Sequence, residues 1–393
     1  MTAKRGIQTA SLRGRRVLVR VDFNVPQETN GQVADDRRIQ EALPTLNHLR
    51  ASGARTILMS HLGRPEGRHD PRFTLRPVVH RLSTLLGQPV PLAADIIGIQ
   101  AIEGAARLAN GEFLMLENLR FHPGEEANDP TFAAALARLG ELFVEDAFGT
   151  LHRAHASTVG VPSRLPSYAG FLVEREVREL SRLVDQPERP YVALVGGAKV
   201  ADKLPLLARL LGRADTLAIG GALAFPFLTH QGRSLGATEV ESGLEDVLVE
   251  FDRAATGART EIVLPTDAVI ERPGTSAAAV VGIDAIPPDA MIRDIGPETV
   301  ARFRAALQSS RTVFWNGPLG KAEDARFAAG TRDVLAHLAS IPGFHVGAGG
   351  DSARVVQDLG VSASFQFLSS GGGAALEFVA GTELPGLAVL PDA

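Results

Sequence analysis

Short apolar runs alternate with longer amphipathic stretches along the whole chain. The runs are rich in β-branched residues and are apolar at successive positions, which is typical of strands in a parallel sheet covered by helices on both faces. In the first half they lie in RRVLVRVDFNVP, ARTILMSHLGRP, EFLMLENLRFHPGEE and ELFVEDAFGTLHRAH. In the second half they lie in YVALVGGAK, TLAIGGALAF, EIVLPTDAV, TVFWNGPLG, FHVGAGGDSA and FQFLSSGGGAAL.

The stretches between these runs predict helices, for example DPTFAAALARLGE (129–141) and PETVARFRAALQ (297–308). Regular alternation of strand and helix predicts an α/β protein, here with two doubly wound, Rossmann-like parallel-sheet domains. The boundary is expected where the loop SRLPSYAG, the amphipathic segment FLVEREVRELSRLV and the breaker DQPERP follow one another. We therefore predict an N-terminal domain over 1–170, an interdomain helix and hinge over 171–185, and a C-terminal domain over 186–380. Residues 381–393 are expected to dock as a tail on the N-terminal domain.

Length and composition narrow the class of protein. A chain of 393 residues suits two domains, and a net charge of −5 argues against a general nucleic-acid binder. The chain has no cysteine, which excludes disulfides, thiol catalysis and cysteine-ligated metals. Its first residues lack the apolar stretch of a secretory signal, and its apolar runs are too short to cross a membrane. A cytoplasmic protein is expected.

Polar and cationic residues follow the strands predicted in the first half. Ligands of open α/β sheets bind beyond the carboxyl ends of the strands, so these residues are expected to converge. They are Asp22, Asn24, Arg38, His61, Arg64, Asn118, Arg120, His122, His152, Arg153 and His155. Arginine binds phosphate and carboxylate through its planar fork. One arginine after a strand is usually an ordinary surface residue, but four strand ends with this feature predict a site for a small, highly charged anion.

Glycines follow the strands predicted in the second half, at 196–197, 220–221, 317–320, 347–350 and 371–373. Glycine lets the backbone approach a ligand closely, and a loop that opens a helix favours phosphate. The second domain is therefore predicted to bind a nucleotide, although neither G-x-x-x-x-G-K-[ST] nor a well-placed G-x-G-x-x-G is present. Asp267, in LPTDAV, either lines this nucleotide cleft or caps a helix.

Two of the four lysines lie close together in VGGAKVADKL, although the chain otherwise relies on arginine. If a helix begins near Ala198, Lys199 and Lys203 lie one turn apart on the same face. A compact ammonium on a flexible stem can follow a migrating phosphoryl group, whereas a guanidinium is bulkier and fixed in shape. The pair is therefore predicted to meet phosphates, the alternative being an ordinary exposed helix face.

Eight segments resemble the phosphoglycerate kinase family in order and spacing: RVDFNVP (20–26), SHLGRP (60–65), ENLRFHPGEE (117–126), DAFGTLHRAH (146–155), GGAKVADK (196–203), WNGPLG (315–320), GGDS (349–352) and SSGGGAALEF (369–378). The resemblance spans nearly the whole chain. It implies a monomeric two-domain glycolytic enzyme that closes around its substrates. The enzyme would transfer a phosphoryl group reversibly between Mg²⁺-bound ATP and the carboxylate of 3-phosphoglycerate, giving ADP and 1,3-bisphosphoglycerate.

The resemblance also implies a role for individual residues. The phosphoglycerate site would comprise Asp22, Phe23, Asn24, Arg38, His61, Leu62, Gly63, Arg64, Arg120 and Arg153. The nucleotide site would comprise Lys203, Glu323, Gly349, Gly350, Asp351 and Ser352, with Asp351 as the Mg²⁺ ligand. The catalytic groups around the transferred phosphoryl would be Lys199, Arg38, Gly371, Gly372 and Gly373.

A few positions depart from the family pattern. Serine stands at 352 and 370 where threonine is usual, and Ala348 replaces a glycine. Lys321 and Ala322 stand where the family is usually apolar, and Leu151 replaces an alanine. Two other classes of function remain as alternatives to a kinase: a nicotinamide-dependent dehydrogenase and a non-catalytic two-lobed protein that binds a phosphorylated metabolite.

Overall fold

The computed structural model describes residues 3–275, 277–349 and 352–393. The chain divides into two units, one formed by the residues up to Glu179 together with Glu383–Ala393, and the other by Leu180–Thr382. Each unit is built around its own parallel sheet, which confirms the predicted pair of Rossmann-like α/β domains. The division falls within one continuous helix over Phe171–Val184.

In its described residues, the first unit has five strands and the helices that connect them. In chain order the elements are β1 (Arg16–Val21), α1 (Arg37–Ala51), β2 (Arg55–Met59), α2 (Arg76–Leu86), α3 (Ile99–Arg107), β3 (Phe113–Met115), α4 (Pro130–Ala137), β4 (Leu142–Asp146), β5 (Ser167–Ala169) and α5 (Phe171–Val184). The strands pair in parallel in the order β3-β2-β1-β4-β5. The order reverses between β1 and β4, and ligand sites of such sheets lie beside this point.

The second unit has a longer parallel sheet and an added antiparallel one. Its elements are β6 (Tyr191–Val195), α6 (Val200–Leu210), β7 (Thr216–Ile219), α7 (Phe225–His230), α8 (Glu245–Gly257), β8 (Glu261–Val263), β9 (Asp267–Glu271), β10 (Ala279–Gly282), β11 (Met291–Ile295), α9 (Pro297–Leu307), β12 (Thr312–Asn316), α10 (Ala329–Leu338), β13 (Phe344–Gly347), α11 (Ser352–Asp358), β14 (Phe367–Leu368) and α12 (Gly373–Val379). The parallel sheet runs β14-β13-β12-β6-β7-β8. Its order reverses between β6 and β12.

The antiparallel sheet, in the order β10-β9-β11, is a departure from the predicted elements. The run EIVLPTDAV predicts a single strand, but the structure divides it into β8 of the parallel sheet and β9 of the antiparallel sheet. Pro265 lies between them, and proline cannot donate the hydrogen bond that an interior strand position requires. The chain therefore leaves one sheet and enters another at this residue.

The strands at the centre of both parallel sheets are almost wholly buried, as the apolar runs predict. β4, β6 and β12 are buried at every position. Burial of apolar side chains on this scale is the main source of stability in each unit, at about 25 cal/mol per Å² removed from water. A small number of charged side chains, including Arg20 and Glu145, are buried within these strands and have to be satisfied there.

The residues after α12 return to the first unit. A short helix, α13 (Pro385–Ala388), lies in this segment, and the N–H of Gly386 donates to the carbonyl oxygen of Leu151 over 2.9 Å. Close to the last residue, Nζ of Lys4 contacts Oδ1 of Asp392 at 2.8 Å. None of the helices in the described ranges combines the length and the apolar character needed to cross a membrane.

Candidate active site

Hydrogen bonds join the residues that follow several strands of the first unit. Nη1 of Arg38 donates to Oδ2 of Asp22 over 2.9 Å and to the carbonyl oxygen of Asn24 over 3.2 Å. Oδ1 of Asn24 accepts from the N–H of Gly63 at 2.9 Å, and Nη1 of Arg120 donates to the Gly63 carbonyl at 2.8 Å. Residues far apart in sequence are thereby held in one cluster beyond the carboxyl ends of the strands.

His61 lies within a concentration of positive charge in this cluster. Its side chain is buried, and burial lowers the pKa of the imidazole well below its usual value. The charges of Arg20, Arg120, Arg38 and Arg153 lower that pKa further. A neutral imidazole surrounded by guanidinium groups suits a small ligand with several negative charges.

Some of the predicted site residues have mainly structural side chains. The side chains of Phe23 and Leu62 belong to the hydrophobic core of the first unit, so only their backbone groups are available to a ligand. Arg64 is exposed, and its guanidinium has no partner within the described ranges. Nε of Arg153 donates to Nε2 of His152 over 3.1 Å.

Arg20 was absent from the residues predicted for this site, whereas Asn118 was among the residues expected to converge. Asn118 accepts at Oδ1 from the N–H groups of Leu62 and Arg120, at 3.2 and 3.1 Å, and so joins the loops after β2 and β3. Arg20 lies on β1 at 1% exposure, with its guanidinium near His61. A charged residue within the apolar run VLVRV is the sequence signal that points to Arg20.

The second unit contains a pocket of about 510 Å³ beyond the reversal point of its parallel sheet. The loops after β6, β7 and β12 line it, together with β9 and β11 of the antiparallel sheet. The lining is mainly apolar, and Glu323, Lys321 and Arg293 are among its charged members. A pocket of this size with a few polar groups is typical of a small-molecule or cofactor site.

Glycine at 196 is required because two loops of this unit approach each other closely. The N–H of Gly196 donates to the Asn316 carbonyl at 2.8 Å, and that of Gly197 donates to the Pro318 carbonyl at 2.6 Å. A Cβ atom on Gly196 would lie 2.3 Å from the same Pro318 oxygen. The double glycine therefore joins the loops after β6 and β12.

The two lysines after this double glycine are arranged differently from the prediction. Helix α6 begins at Val200, and Lys199 precedes it in the left-handed region with φ of 60°. The two lysines therefore do not lie on one helical face, because the backbone turns at Lys199. Lys199 is exposed, and its ammonium has no partner among the described residues. The Lys203 ammonium donates to the Gly196 carbonyl, and burial lowers the pKa of Lys203 to about 8.

The remaining predicted residues of the second unit lie at two other strand ends. Ser352 begins α11 and donates from Oγ to the Ala348 carbonyl at 2.8 Å, next to Gly349. Gly350 and Asp351 lie outside the described residues. At the last of the five glycine clusters, α12 begins at Gly373, preceded by Gly372 with φ of 53°, and the N–H of Gly371 donates to Oγ of Ser369.

Two aspartates in the pocket wall also hold helices in place. Oδ2 and Oδ1 of Asp267 accept from the N–H groups of Glu298 and Thr299 at 2.9 and 2.8 Å, so Asp267 both caps the start of α9 and lines the pocket. Asp294 accepts from the N–H groups of Ile295 and Gly330, and burial raises its pKa to about 7. Asp267 therefore caps a helix, which is one of the two alternatives that the sequence left open, and it also lines this pocket.

Comparison with known proteins identifies the family. Residues 7–382 match the family model described as phosphoglycerate kinase. The chain belongs to the phosphoglycerate kinase family. Its relatives include the phosphoglycerate kinase of Pelotomaculum thermopropionicum, 47% identical over 393 residues that cover 99% of this chain and 100% of that protein. The phosphoglycerate kinase of Rubrobacter xylanophilus is 49% identical over 391 residues, covering 99% of this chain and 98% of the relative.

Solved structures of the same family share the fold. The phosphoglycerate kinase of Coxiella burnetii superimposes with a TM-score of 0.88 at 36% identity, and that of Pyrococcus horikoshii with 0.85 at 32%. Each covers 98% of this chain and of its own. The protein is therefore a kinase of glycolysis that transfers phosphate to a carboxylate, and the dehydrogenase and binding-protein alternatives do not apply.

Proposed function

We propose that the first unit binds 3-phosphoglycerate at the cluster around His61 and that the second binds ATP or ADP in its pocket. The observation that carries the proposal is the convergence of Arg20, Arg38, Arg120 and Arg153 on His61. Guanidinium groups remain charged at any physiological pH, and a phosphate and a carboxylate together need several of them. The remaining members of this site would be Asp22, Phe23, Asn24, Leu62, Gly63 and Arg64.

The nucleotide half of the proposal assigns Lys203, Glu323, Gly349, Gly350, Asp351 and Ser352. Glu323 lines the pocket, has no partner among the described residues and would accept hydrogen bonds from the ribose hydroxyls. The apolar walls would hold the base. The backbone around Gly349 would lie against the phosphates, as glycine-rich turns do in many nucleotide sites.

The chain offers oxygen ligands of the kind that Mg²⁺ prefers. Oδ1 of Asn316 is buried without a hydrogen-bond partner among the described residues, while Nδ2 of the same side chain donates to the Ala348 carbonyl next to Gly349. Asp351, which lies outside the described residues, would hold the ion together with the nucleotide phosphates. The bound ion would neutralise phosphate charge.

The proposed chemistry needs positioning and charge rather than a general base. The acceptor carboxylate has an ordinary pKa of about 4 and is already ionised at pH 7. Phosphoryl transfer then depends on in-line placement and on stabilisation of charge as it spreads over the moving group. Lys199, Arg38 and the backbone at Gly371, Gly372 and Gly373 would supply that stabilisation.

We also propose that the two units close on each other during the reaction, because their ligands have to meet for transfer to occur. Closure would exclude water that otherwise hydrolyses ATP. Small-angle scattering should show a smaller radius of gyration with both substrates bound than with either alone. An unchanged radius in the ternary complex would contradict closure.

We further propose a cytoplasmic monomer, for which sedimentation at 41.6 kDa is the expected result.

A coupled assay tests the reaction directly. ATP consumption is expected only when both 3-phosphoglycerate and Mg²⁺ are present, and chelation of the metal should abolish it. ATP consumption that does not depend on 3-phosphoglycerate would contradict the proposed acceptor, and full activity in excess chelator would contradict the metal.

Lys203 should make nucleotide affinity dependent on pH. With a pKa of about 8 in the free protein, its ammonium loses its proton as the pH rises through 8, and only the charged form attracts phosphate. Bound phosphate would raise that pKa again. Because Lys203 has to regain its proton when ADP binds, the affinity for ADP should fall above pH 8, by at most about tenfold per pH unit.

Calorimetry of ADP binding between pH 7.5 and 9.5 measures this dependence. The matched control is Lys203→Arg, whose guanidinium stays charged, so its affinity should show no transition near pH 8 whatever its absolute value. A flat profile in the unsubstituted protein, or the same transition in both proteins, would show that Lys203 is not the titrating group.

A further inference from the structure

A buried polar network lies behind His61 in the first unit. Nε of Arg20 donates to Oγ of Ser157 at 2.9 Å, and Nη2 of Arg20 lies 3.1 Å from Nδ1 of His61. Ser157 donates in turn to Glu125, from Oγ to Oε1 at 2.5 Å and from its N–H to Oε2 at 3.0 Å. Arg20, Ser157 and Glu125 are 1%, 0% and 0% exposed, so solvent cannot replace these contacts.

The direction of each hydrogen bond follows from the chemistry of arginine. A guanidinium has donors and no acceptor, so Nδ1 of His61 must accept from Arg20. The neutral imidazole then carries its hydrogen on Nε2, which has no hydrogen-bond partner among the described residues. Likewise, Oγ of Ser157 accepts from Arg20, and its hydrogen points to Glu125. The network therefore specifies one tautomer of His61.

The Glu125 carboxylate accepts the hydrogen bonds at the far end of this network. Glu145 lies beside Arg20 on the neighbouring strand, but burial raises its pKa to about 8, so it is mostly neutral at pH 7. Burial also raises the pKa of Glu125, and the charge of Arg20 opposes that rise. Glu125 receives both donors of Ser157, which fixes the serine in the orientation that accepts from Arg20.

Among the described residues, the other arginines of the cluster do not select this tautomer. The other arginines that act on His61, namely Arg38, Arg120 and Arg153, make hydrogen bonds elsewhere and add only positive potential. That potential keeps the imidazole neutral without deciding which nitrogen carries the hydrogen. Which ring nitrogen carries the hydrogen depends on the hydrogen bond that the other ring nitrogen makes.

We propose that Ser157 and Glu125 are positioning residues that hold Arg20 against Nδ1 of His61 and so keep the imidazole as the Nε2–H tautomer, a neutral donor for the anionic substrate. The part of this proposal that concerns the substrate rests on the proposed phosphoglycerate site. Neither Ser157 nor Glu125 touches the substrate in this scheme.

The first test reads the tautomer in the full-length, ligand-free protein. Long-range proton–nitrogen NMR distinguishes the two tautomers, and the His61 signals are assigned by their absence in His61→Asn. The unsubstituted protein should show Nε2–H alone. Ser157→Ala removes the acceptor of Nε of Arg20, leaving the bond from Nη1 to the Val21 carbonyl, and should give averaged nitrogen shifts from a mixture of tautomers. Ser157→Thr keeps a hydroxyl and should restore Nε2–H.

The second test is kinetic. Ser157→Ala should raise the KM for 3-phosphoglycerate by about fivefold to tenfold, as expected for one weakened charge-assisted contact, with the KM for ATP within about twofold of the original. Ser163→Ala is the matched control, because Ser163 lies in the same segment and its hydroxyl donates to the Gly160 carbonyl and accepts from Arg164, away from the network. It should leave both constants unchanged.

The NMR and kinetic results together distinguish a failure of the positioning role from a failure of the proposed phosphoglycerate site. An unchanged Nε2–H tautomer in Ser157→Ala would overturn the positioning role, whatever the kinetics. A mixed tautomer with an unchanged KM for 3-phosphoglycerate would support the positioning role and overturn the contact between His61 and that substrate. If Ser157→Ala does not fold, the same NMR measurement is made on Glu125→Gln, and an unchanged Nε2–H tautomer in that variant would overturn the proposal.

Discussion

Replacing Lys199 with alanine should lower kcat at least about a hundredfold while substrate affinity changes little, because removal of one preorganised charge from a transition state costs on the order of 3–4 kcal/mol. The Lys199 ammonium is exposed and has no protein partner in the described part of the chain, so it is available to the transferring group. Its contribution is expected only as charge spreads over the phosphoryl group, and an interaction of that kind affects kcat rather than KM.

The control variants separate charge from shape and from backbone strain. Lys199→Arg keeps the charge but presents a rigid fork, and it should recover only part of the lost turnover. Lysine and alanine both have a Cβ and share the cost of about 1–2 kcal/mol at φ of 60°, so Lys199→Ala adds no backbone strain, whereas Lys199→Gly removes the same ammonium and also relieves that cost. Lys4→Ala removes a lysine that pairs with Asp392 and should leave kcat unchanged.

Steady-state kinetics in both substrates measures the effect. Turnover within a few-fold of the original in both Lys199→Ala and Lys199→Gly would contradict the proposed role. A large loss in alanine but not in glycine would assign the effect to the backbone at this position rather than to the ammonium.

The parallel-sheet framework was predictable because buried strands carry an unambiguous signal. A strand covered on both faces has to be apolar at successive positions, and β4, β6 and β12 follow that rule. The antiparallel sheet carries a weaker signal. β10 is mostly exposed, so its sequence lacks the apolar pattern of a buried strand. Only a short loop containing Pro265 separates β8 from β9, and the apolar pattern across both therefore predicts a single strand.

The site was predictable as a set of residue types and not as a set of contacts. Cationic residues after strands indicate which loops converge, since the topology brings strand ends together. The left-handed turn at Lys199 depends on how the loop after β6 meets the loop after β12, through the bond from Gly197 to Pro318. The network behind His61 joins four segments of the chain and has no local pattern apart from the charge of Arg20 inside an apolar run.

Substitution of Arg38 by alanine should lower kcat/KM for 3-phosphoglycerate by about 10²–10³, through loss of a charged fork beside the proposed acceptor. In the free protein Nη1 of Arg38 bonds Asp22 at 2.9 Å, and one third of the Arg38 side chain is exposed, so the guanidinium has donors left for a ligand. The loss has two parts, because removing Arg38 also leaves the Asp22 carboxylate unpaired beside an anionic substrate.

A double-mutant cycle separates those parts. Asp22→Asn in the Arg38→Ala background removes the repelling charge and should recover about tenfold of the lost kcat/KM, and the remainder measures the direct action of the guanidinium. Arg37→Ala is the matched control, since Arg37 is the neighbouring residue of α1 and pairs with Asp35. It should retain near-original activity. Equal losses in Arg37→Ala and Arg38→Ala would mean that the start of α1 was disturbed and that Arg38 has no specific role.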